Sequence, residues 1–249
     1  MSNAWRLLDT GTKDPYTNMS IDEALSQLIG DNDAPILRFF DWNSPCISIG
    51  YSQKIHEVLN VKSCNEDNIV FVRRPTGGGV VFHGGNITYS AVLPRGIVKD
   101  IYAGYDLVQE NIRHGLKSLN NDVNLYRNIE KADLFGCCFT RPNYGDIMVG
   151  GKKLGGLAAR RVKQRILYQG YLFAFNMYDV GKYIKSKMDL DSGSVSVASM
   201  GRSINDVKNS IVANWNGELR QSSITDEEEQ LAVTLSEGKY SLEEWNCKR

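Results

Sequence analysis

The chain of 249 residues carries 29 basic and 29 acidic side chains, so its formal net charge at neutral pH is zero. This balance argues against bulk electrostatic binding of nucleic acid or of an anionic membrane, and any recognition by charge has to be local. A hydrophobic content of 42% is ordinary for a globular protein. No apolar run approaches the roughly 20 residues that a membrane helix needs.

Cysteine usage indicates the compartment. The five cysteines form no Cys-x-x-Cys motif, and the N-terminus lacks the basic and apolar pattern of a signal peptide. We therefore expect a cytoplasmic protein in a reducing environment, and we predict no metal site. Neither repeats nor low-complexity linkers divide the chain, which is consistent with one domain over residues 1–249.

Hydrophobic periodicity predicts many short strands with helices between them, in an α/β or α+β arrangement around a mixed sheet. Ser20 and Glu23 predict a capping box at the start of the first helix, and Thr225 and Glu228 predict one for the last. Further helices are predicted at 55–59, 105–119 and 204–219. Strands are predicted at 5–8, 36–40, 46–49, 69–72, 80–82, 87–93, 123–126, 147–149 and 165–175.

A glycine-rich loop lies between two of these predicted strands. Arg74, Thr76, Gly77, Gly78, Gly79 and His83 all fall within residues 73–83. Three successive glycines indicate a sharp turn or a close approach of a ligand to the backbone, and the arginines suit an anionic guest. A glycine-rich hairpin without a ligand is the simpler alternative. The spacing matches neither the dinucleotide-binding nor the phosphate-loop motif.

A second segment of interest, residues 152–165, holds six basic side chains and no acidic one. Gly155 and Gly156 follow Lys153, so a close backbone approach is again expected, and a lysine held there can neutralise a phosphate or polarise a carbonyl. The alternative is a solvated hairpin edge whose lysines discourage sheet pairing. Cys137 and Cys138 precede this segment; a buried structural role is the default for such cysteines, although a nearby cation makes a thiol nucleophilic.

Taken together, these segments resemble the lipoate-protein ligase and octanoyltransferase family, which is related to biotin protein ligases. The resemblance rests on five blocks in order, residues 18–24, 37–42, 48–53, 73–83 and 151–156. It implies a single α/β catalytic domain without an accessory C-terminal domain. It also implies transfer of an acyl group onto a lysine of a lipoyl domain, in 2-oxoacid dehydrogenases or the glycine cleavage carrier protein.

Within this family the resemblance assigns roles to the residues above. Lys153 matches the indispensable lysine of the family. The glycine-loop residues, together with Gly155 and Gly156, match the substrate-binding positions. Cys138 precedes a phenylalanine and stands four residues before Pro142 and fifteen before Lys153, as the nucleophile does in the cysteine-dependent octanoyltransferases.

Two chemistries share the family scaffold. The favoured one is an octanoyltransferase that takes octanoyl from acyl carrier protein and forms a thioester on Cys138, without a tightly bound cofactor. The alternative is a ligase that uses ATP and Mg²⁺ to activate lipoate or octanoate as an adenylate held near Arg74. The triple glycine resembles the ligases, and Gln169 stands where a histidine is common. A non-enzymatic module that binds acidic carrier domains, and a biotin ligase, are further alternatives of lower weight.

Overall fold

The computed structural model describes residues 4–120, 122–128, 142–163, 165–174, 180–185 and 195–248. Over these residues the strands are β1 Ala4–Lys13, β2 Ile36–Trp42, β3 Cys46–Ile49, β4 Val70–Arg73, β5 Val81–His83, β6 Asn86–Leu93, β7 Val123–Leu125, β8 Ile147–Val149, β9 Lys152–Val162, β10 Arg165–Phe173 and β11 Glu218–Gln221. The helices are α1 Pro15–Leu28, α2 Ile55–Val58, α3 Val61–Glu66, α4 Ile101–Lys117, α5 Ile204–Ala213, α6 Asp226–Leu235 and α7 Glu243–Asn246.

The described strands form two sheets. The larger has the order β11-β1-β2-β6-β10-β9-β8-β7, and the smaller has the order β4-β3-β5. In the larger sheet, β1 pairs in parallel with β2 and β11. The remaining neighbours in that sheet, along the order β2-β6-β10-β9-β8-β7, all pair antiparallel. The sheet is therefore mixed, as predicted, and this α/β fold class is confirmed. No helix in the described part of the chain is long and apolar enough to cross a membrane.

Helices cover the two faces of the larger sheet. Helices α4 and α5 pack on one face over a core that includes Phe39, Tyr89 and Tyr168. Helices α1 and α6 pack on the other face, where Leu25 and Leu167 are buried. Alternation of side chains along each strand assigns neighbouring residues to opposite faces, which is why Tyr168 and Leu167 belong to different clusters.

Several predicted elements differ from the structure. Helix α1 begins at Pro15, with Asp14 as its N-cap, so the capping box predicted at Ser20 is wrong. The Ser20 hydroxyl instead donates to the carbonyl of Tyr16, one turn earlier in the helix. The capping box at Thr225 is confirmed at the start of α6.

The structure also corrects two segments around the second half of the sheet. No strand was predicted over residues 154–159, but they belong to β9, which lies between β8 and β10 and is not an edge strand. The helix predicted at 204–219 ends at Ala213, and β11 begins at Glu218. Asn214 caps α5 with its amide donating to Ser210, and the chain then turns through Gly217 with φ of 129°.

A buried ion pair fastens α1 to the sheet. The Arg38 guanidinium on β2 donates to the Asp22 carboxylate at 2.6 Å, and both side chains are fully buried. Arg38 also donates to the main-chain carbonyl and the side-chain oxygen of Asn18 and to the hydroxyl of Thr10. The Ser90 hydroxyl on β6 donates to the same Asp22 oxygen at 2.6 Å. Every charge in this cluster thus meets an opposite charge or a hydrogen-bonding partner, which a buried ion pair requires.

We predict that Arg38→Met lowers the free energy of unfolding by about 3–5 kcal/mol, because it leaves the Asp22 carboxylate buried without its cation. The measurement is urea unfolding followed by circular dichroism. Arg220→Met is the matched control, since Arg220 and Glu218 form an exposed pair on β11. An exposed pair of this kind contributes about 1 kcal/mol or less. A loss for Arg38→Met no greater than the control's would contradict a structural role for the network.

Candidate active site

The glycine-rich loop connects β4 to β5 and is packed tightly on the segment that follows β3. Gly78 adopts φ of 84°, in the left-handed region that favours glycine. A Cβ atom added at Gly50 would lie 1.9 Å from the carbonyl oxygen of Gly78, so only glycine fits there. The amide of Tyr51 donates to the carbonyl of Thr76 at 2.8 Å. The position of the loop is therefore set by direct backbone contacts.

Arg74 braces the inside of this loop. Its guanidinium donates to the carbonyl oxygens of Gly77 and Gly79 and to the carbonyl and hydroxyl oxygens of Ser48. All three of its nitrogens take part in these hydrogen bonds. In this conformation Arg74 holds the loop from its inner side, and its role in substrate binding stays a prediction.

His83 is buried behind the same loop. The Asn86 amide donates to its Nδ1 at 3.0 Å, which places the proton on Nε2, facing the Ser48 hydroxyl at 2.8 Å. Burial, and secondarily the charge of Arg74, lower the pKa of His83 to about 3. The imidazole also stacks on the ring of Trp42. His83 is thus a neutral packing residue at physiological pH, and the amide donor on Nδ1 is the reverse of the arrangement that a catalytic base needs.

Thr76 ties the loop to the buried network beneath α1. Its hydroxyl donates to the side-chain oxygen of Gln169 on β10 at 2.7 Å, and the amide of Gln169 donates to the second oxygen of Asp22 at 2.6 Å. Hydrogen bonds therefore connect Arg38 to Thr76 without a break, through Asp22 and Gln169. Sequence analysis singled out neither Asp22 nor Gln169 as a site residue. Two features of the sequence could have indicated these residues. Asp22 lies in the 18–24 block that resembles the family, and Gln169 stands where the family commonly has a histidine.

Gly77 marks the open side of the loop. A Cβ atom added at this position would meet nothing within 4 Å among the described residues. Because Gly78 is exposed and Gly79 is buried, the loop presents its first two glycines outward. Open space beside Gly77, next to a loop backbone that Arg74 holds in place, suits the binding of an extended ligand such as an acyl chain.

Lys153 lies on β9 with its ammonium buried. Its Nζ is 2.5 Å from the Asp146 carboxylate, and the two side chains are 2% and 3% exposed. The amide of Asn143 donates to Asp146 at 2.7 Å. Burial raises the pKa of the Asp146 carboxyl, while Lys153 and hydrogen bonds from backbone amides act in the opposite direction. The alternative interpretation of residues 152–165 as a solvated hairpin edge is therefore wrong at Lys153, which is interior.

The other basic residues of segment 152–165 differ from one another in their surroundings. Lys152 is exposed at the start of the strand, whereas Arg160 donates to the carbonyl of Pro75 at 3.2 Å and lies over the ring of Tyr51. Arg160 therefore supports the entrance to the glycine loop. Gly155 is sterically required, since a Cβ there would lie 2.2 Å from the carbonyl oxygen of Tyr171. A Cβ at Gly156 would meet only side-chain atoms, the nearest an Asp146 oxygen at 3.0 Å.

The register of the sheet relates Lys153 to the glycine loop. Gly156 pairs with Tyr171, and directly opposed residues of neighbouring strands point to the same face. Tyr171 and Gln169 also share a face because they are two residues apart on β10, roughly 7 Å along the strand. A Cβ at Gly156 would lie 3.3 Å from the Lys153 Nζ and 3.0 Å from an Asp146 oxygen. The ion pair thus borders the face of the sheet on which Gln169 holds Thr76.

Cys137 and Cys138 lie outside the described residues, so the assignment of Cys138 as the nucleophile stays a prediction. The remaining cysteines with a described environment are Cys46 and Cys64, which are buried, and Cys247, which is half-buried. Burial raises the pKa of the Cys46 thiol well above its ordinary value. A thiol with a raised pKa is a poor nucleophile, so Cys46 is a packing residue.

The chain is similar to known proteins over nearly its whole length. Residues 14–225 match the family model described as the lipoyl protein ligase A/B catalytic domain. The octanoyltransferase LipM of Anoxybacillus flavithermus is 30% identical over 98% of both chains. The structure of Ta0514 from T. acidophilum, a putative lipoate protein ligase with bound lipoic acid, has a TM-score of 0.84 at 28% identity and covers 99% of this chain and all of its own. A lipoate-protein ligase A bound with ATP gives a TM-score of 0.85, also at 28% identity, over 99% of both chains.

The chain is therefore an enzyme of acyl transfer or acyl ligation. This conclusion follows from its relatives, together with the mixed sheet, the glycine loop held by Arg74 and the buried, ion-paired Lys153. The chain belongs to the lipoyl protein ligase A/B catalytic domain family. The resemblance drawn from the five sequence blocks is confirmed.

We predict that Gly77→Ala leaves the free energy of unfolding within about 0.5 kcal/mol of the wild type, because its methyl group meets open space. Because we predict that this loop binds the acyl substrate, the same methyl group should occupy room that the substrate needs. The KM for the acyl donor should rise about tenfold, equivalent to about 1.4 kcal/mol of binding. Gly181→Ala is the control, because a Cβ there also meets nothing within 4 Å but lies outside the loop. An unchanged KM in Gly77→Ala would place the substrate elsewhere.

Proposed function

We propose that this chain is an octanoyl-acyl carrier protein:protein octanoyltransferase. It takes the octanoyl group from acyl carrier protein, holds it as a thioester on Cys138 and delivers it to the lysine of a lipoyl domain. The proposal rests on the buried Lys153 ammonium beside the loop-bearing face of the sheet. Full-length similarity to octanoyltransferases, and the spacing of Cys138 from Lys153, support this chemistry over ligation.

The reaction has two balanced steps. The Cys138 thiolate attacks the carbonyl carbon of the octanoyl thioester, the new carbon–sulfur bond forms, and the bond to the carrier's sulfur breaks. The carrier leaves as a thiol, with the proton that Cys138 gave up. The neutral amine of the lipoyl-domain lysine then attacks the Cys138 thioester, which forms an amide, releases a proton from the amine and returns Cys138 to its thiol state.

The described residues divide the remaining work. Lys153 donates to the carbonyl oxygen, on which negative charge develops in each step. The backbone of Gly77 and Gly78 lines the path of the acyl chain. Arg74 and Gln169 hold that backbone in place, Arg74 through the loop carbonyls and Gln169 through Thr76.

The partners follow from this chemistry. The donor is acyl carrier protein, and the acceptor is a lipoyl domain of a 2-oxoacid dehydrogenase or the glycine cleavage carrier protein. No tightly bound cofactor or metal is needed, because a thioester is already an activated acyl group. We place this reaction in the cytoplasm, where these carriers are made and thiols stay reduced.

An ATP-dependent lipoate-protein ligase is the second candidate. It is favoured by the similarity of the fold to a lipoate-protein ligase A bound with ATP. In that case ATP and Mg²⁺ would convert lipoate or octanoate to an adenylate, and Lys153 would contact its phosphate and carbonyl. The hydrogen bonds of Arg74 to the loop count against a direct contact between that guanidinium and the phosphate in this conformation.

The decisive experiment is intact-protein mass spectrometry after mixing the enzyme with octanoyl-acyl carrier protein in the absence of ATP. We expect a covalent octanoyl adduct on the wild type that neutral hydroxylamine removes, because a thioester is labile to this nucleophile. Cys138→Ser should abolish the adduct, and Cys137→Ser, the neighbouring-thiol control, should retain it. Modification of a lipoyl domain only when lipoate, ATP and Mg²⁺ are supplied, without an adduct, would establish the ligase instead.

Lys153→Ala should reduce acyl transfer to a lipoyl domain at least about 100-fold, the loss seen when an oxyanion donor is removed. Lys152→Ala is the matched control, since Lys152 is exposed on the adjacent position of β9. It should keep activity within about twofold of the wild type. Transfer to the lipoyl domain is followed by its mass. Full activity in Lys153→Ala would remove this lysine from the reaction.

A further inference from the structure

The C-terminal segment, residues 236–248, lies beyond residues 14–225 that match the family model, and the proposed function gives it no role. It consists of a single helical turn at Ser236–Tyr240, helix α7 and the described residues that connect and follow them. Tyr240 and Trp245 pack in one apolar cluster with Val72 of β4, two residues before Arg74. The segment therefore reaches the strand that leads into the glycine loop.

Arg73, the last residue of β4, is fully buried and joins this segment to the sheet. Its guanidinium donates to the carbonyl oxygens of Trp245 at 3.2 Å and Asn246 at 3.0 Å. The backbone of Arg73 is held by the same two residues. Its amide donates to the side-chain oxygen of Asn246 at 2.8 Å, and its carbonyl accepts from the indole nitrogen of Trp245 at 2.9 Å. Helix α7 thus fixes both the main chain and the side chain of Arg73.

The same guanidinium holds the turn against which the glycine loop packs. Its Nη1 donates to the carbonyl oxygens of Gly50, Tyr51 and Gln53, at 3.1, 3.1 and 2.6 Å. Carbonyls that converge on one buried cation cannot move independently of it, because each would lose a charge-assisted hydrogen bond. Gly50 packs directly on Gly78, and the Tyr51 amide donates to the carbonyl of Thr76. The loop therefore rests on a turn that is tied to α7.

A second connection between α7 and the loop runs through half-exposed aromatic rings. The ring of Trp245 lies 6.0 Å from the ring of Tyr51. The guanidinium of Arg160 lies over the Tyr51 ring and donates to the carbonyl of Pro75, at the start of the loop. Both connections begin at α7 and end at the glycine loop.

The C-terminal segment is itself fixed, as a support has to be. The Lys239 ammonium and the Tyr240 hydroxyl both lie 2.5 Å from the same carboxylate oxygen of Glu23 on α1. Glu23 is the neighbour of Asp22, whose carboxylate supports the loop from the opposite end of the network. The segment is therefore attached to two elements, α1 and β4, that both carry supports of the loop.

We propose that Trp245 and Asn246 are positioning residues for acyl transfer, which act through Arg73 to hold the turn at 50–53, and with it the glycine loop, in the conformation that binds the acyl donor. This inference rests on the proposed octanoyl transfer. It adds to that reaction a part of the chain outside the family match. Neither residue is assigned to the reacting carbonyl, so their loss should weaken donor binding and leave the chemical steps intact.

The first test is Trp245→Phe, which removes the indole N–H and keeps an aromatic ring. The KM for octanoyl-acyl carrier protein should rise about fivefold, the factor that corresponds to one hydrogen bond. The kcat for transfer to a lipoyl domain should stay within about twofold of the wild type. Trp215→Phe is the matched control, because the indole nitrogen of the buried Trp215 has no hydrogen-bond partner among the described residues. The control should keep the KM of the wild type.

The second test is Asn246→Ala, which removes the acceptor for the Arg73 amide. The KM should rise about tenfold, because this substitution also removes two hydrogen bonds that Asn246 donates within the C-terminal segment. Asn111→Ala is the matched control. Asn111 is also buried, accepts from the amide of Asn216 and donates to a carbonyl one turn earlier in α4. It should lose stability to a similar extent in urea unfolding and keep the KM of the wild type.

Hydrogen exchange separates positioning of the loop from a general loss of stability. The Tyr51 amide reports the attachment of the loop to the turn, because it donates to the carbonyl of Thr76. Its exchange, measured by NMR, should be about fivefold faster in Trp245→Phe than in the wild type or in Trp215→Phe.

Two results would overturn the inference. One is a wild-type KM in folded Trp245→Phe and folded Asn246→Ala. The other is an equal rise of the KM in the two control variants, which would indicate a general effect of stability. If Asn246→Ala does not fold by circular dichroism, Trp245→Phe decides alone, since it retains an aromatic ring at this position.

A failure of the proposed function gives a different result. If the wild type forms no hydroxylamine-labile adduct with octanoyl-acyl carrier protein, the KM for lipoate is measured in the same variants with ATP and Mg²⁺. A rise in that KM in Trp245→Phe, but not in Trp215→Phe, supports the positioning role and rejects the thioester route. An unchanged KM for both donors rejects the positioning role.

Discussion

The buried ion pair between Asp22 and Arg38 is the contact on which the substrate-facing side of this structure depends. One Asp22 oxygen accepts hydrogen bonds from Arg38 and Ser90, and the other accepts from Gln169. Helix α1 and strands β2, β6 and β10 therefore meet at a single carboxylate. Because Gln169 in turn accepts from Thr76, the glycine loop, already held by backbone contacts, is also tied to the same carboxylate. Fixing a glycine-rich loop requires such external contacts, since glycine itself gives the backbone little stiffness.

A second buried ion pair joins Lys153 on β9 to Asp146, which directly precedes β8. Arg38 is surrounded by acceptors that satisfy its guanidinium within the protein, so this first pair is structural. Lys153 and Asp146 border Gly156, the position where β9 has no side chain. The ion pair fills the space beside this position, because a Cβ at Gly156 would lie 3.0 Å from Asp146 Oδ1 and 3.3 Å from the Lys153 Nζ.

Sequence patterns predicted most strands and the glycine loop, because apolar runs bounded by turn residues depend on local chemistry. The predicted start of α1 was wrong because Ser20 and Glu23 match a capping box locally, yet Asp14 and Pro15 offer a better N-terminus six residues earlier. Strand β9 was missed because its small residues carry little strand propensity and are fixed by pairing with β10 and β8. Tertiary pairing outweighed propensity at this point.

The sequence supplied candidate site residues but not the contacts that hold them. Arg74, His83 and Lys153 could be chosen from composition and resemblance, whereas their partners depend on contacts distant in sequence. Arg74 suggested an anion in the sequence, and the structure shows it bound to loop carbonyls. Asp146 was not chosen, although a Gly-Gly turn between two short strands places residues 146 and 153 near one another. A hairpin predicted at 147–149 and 152–162 would have indicated this pair.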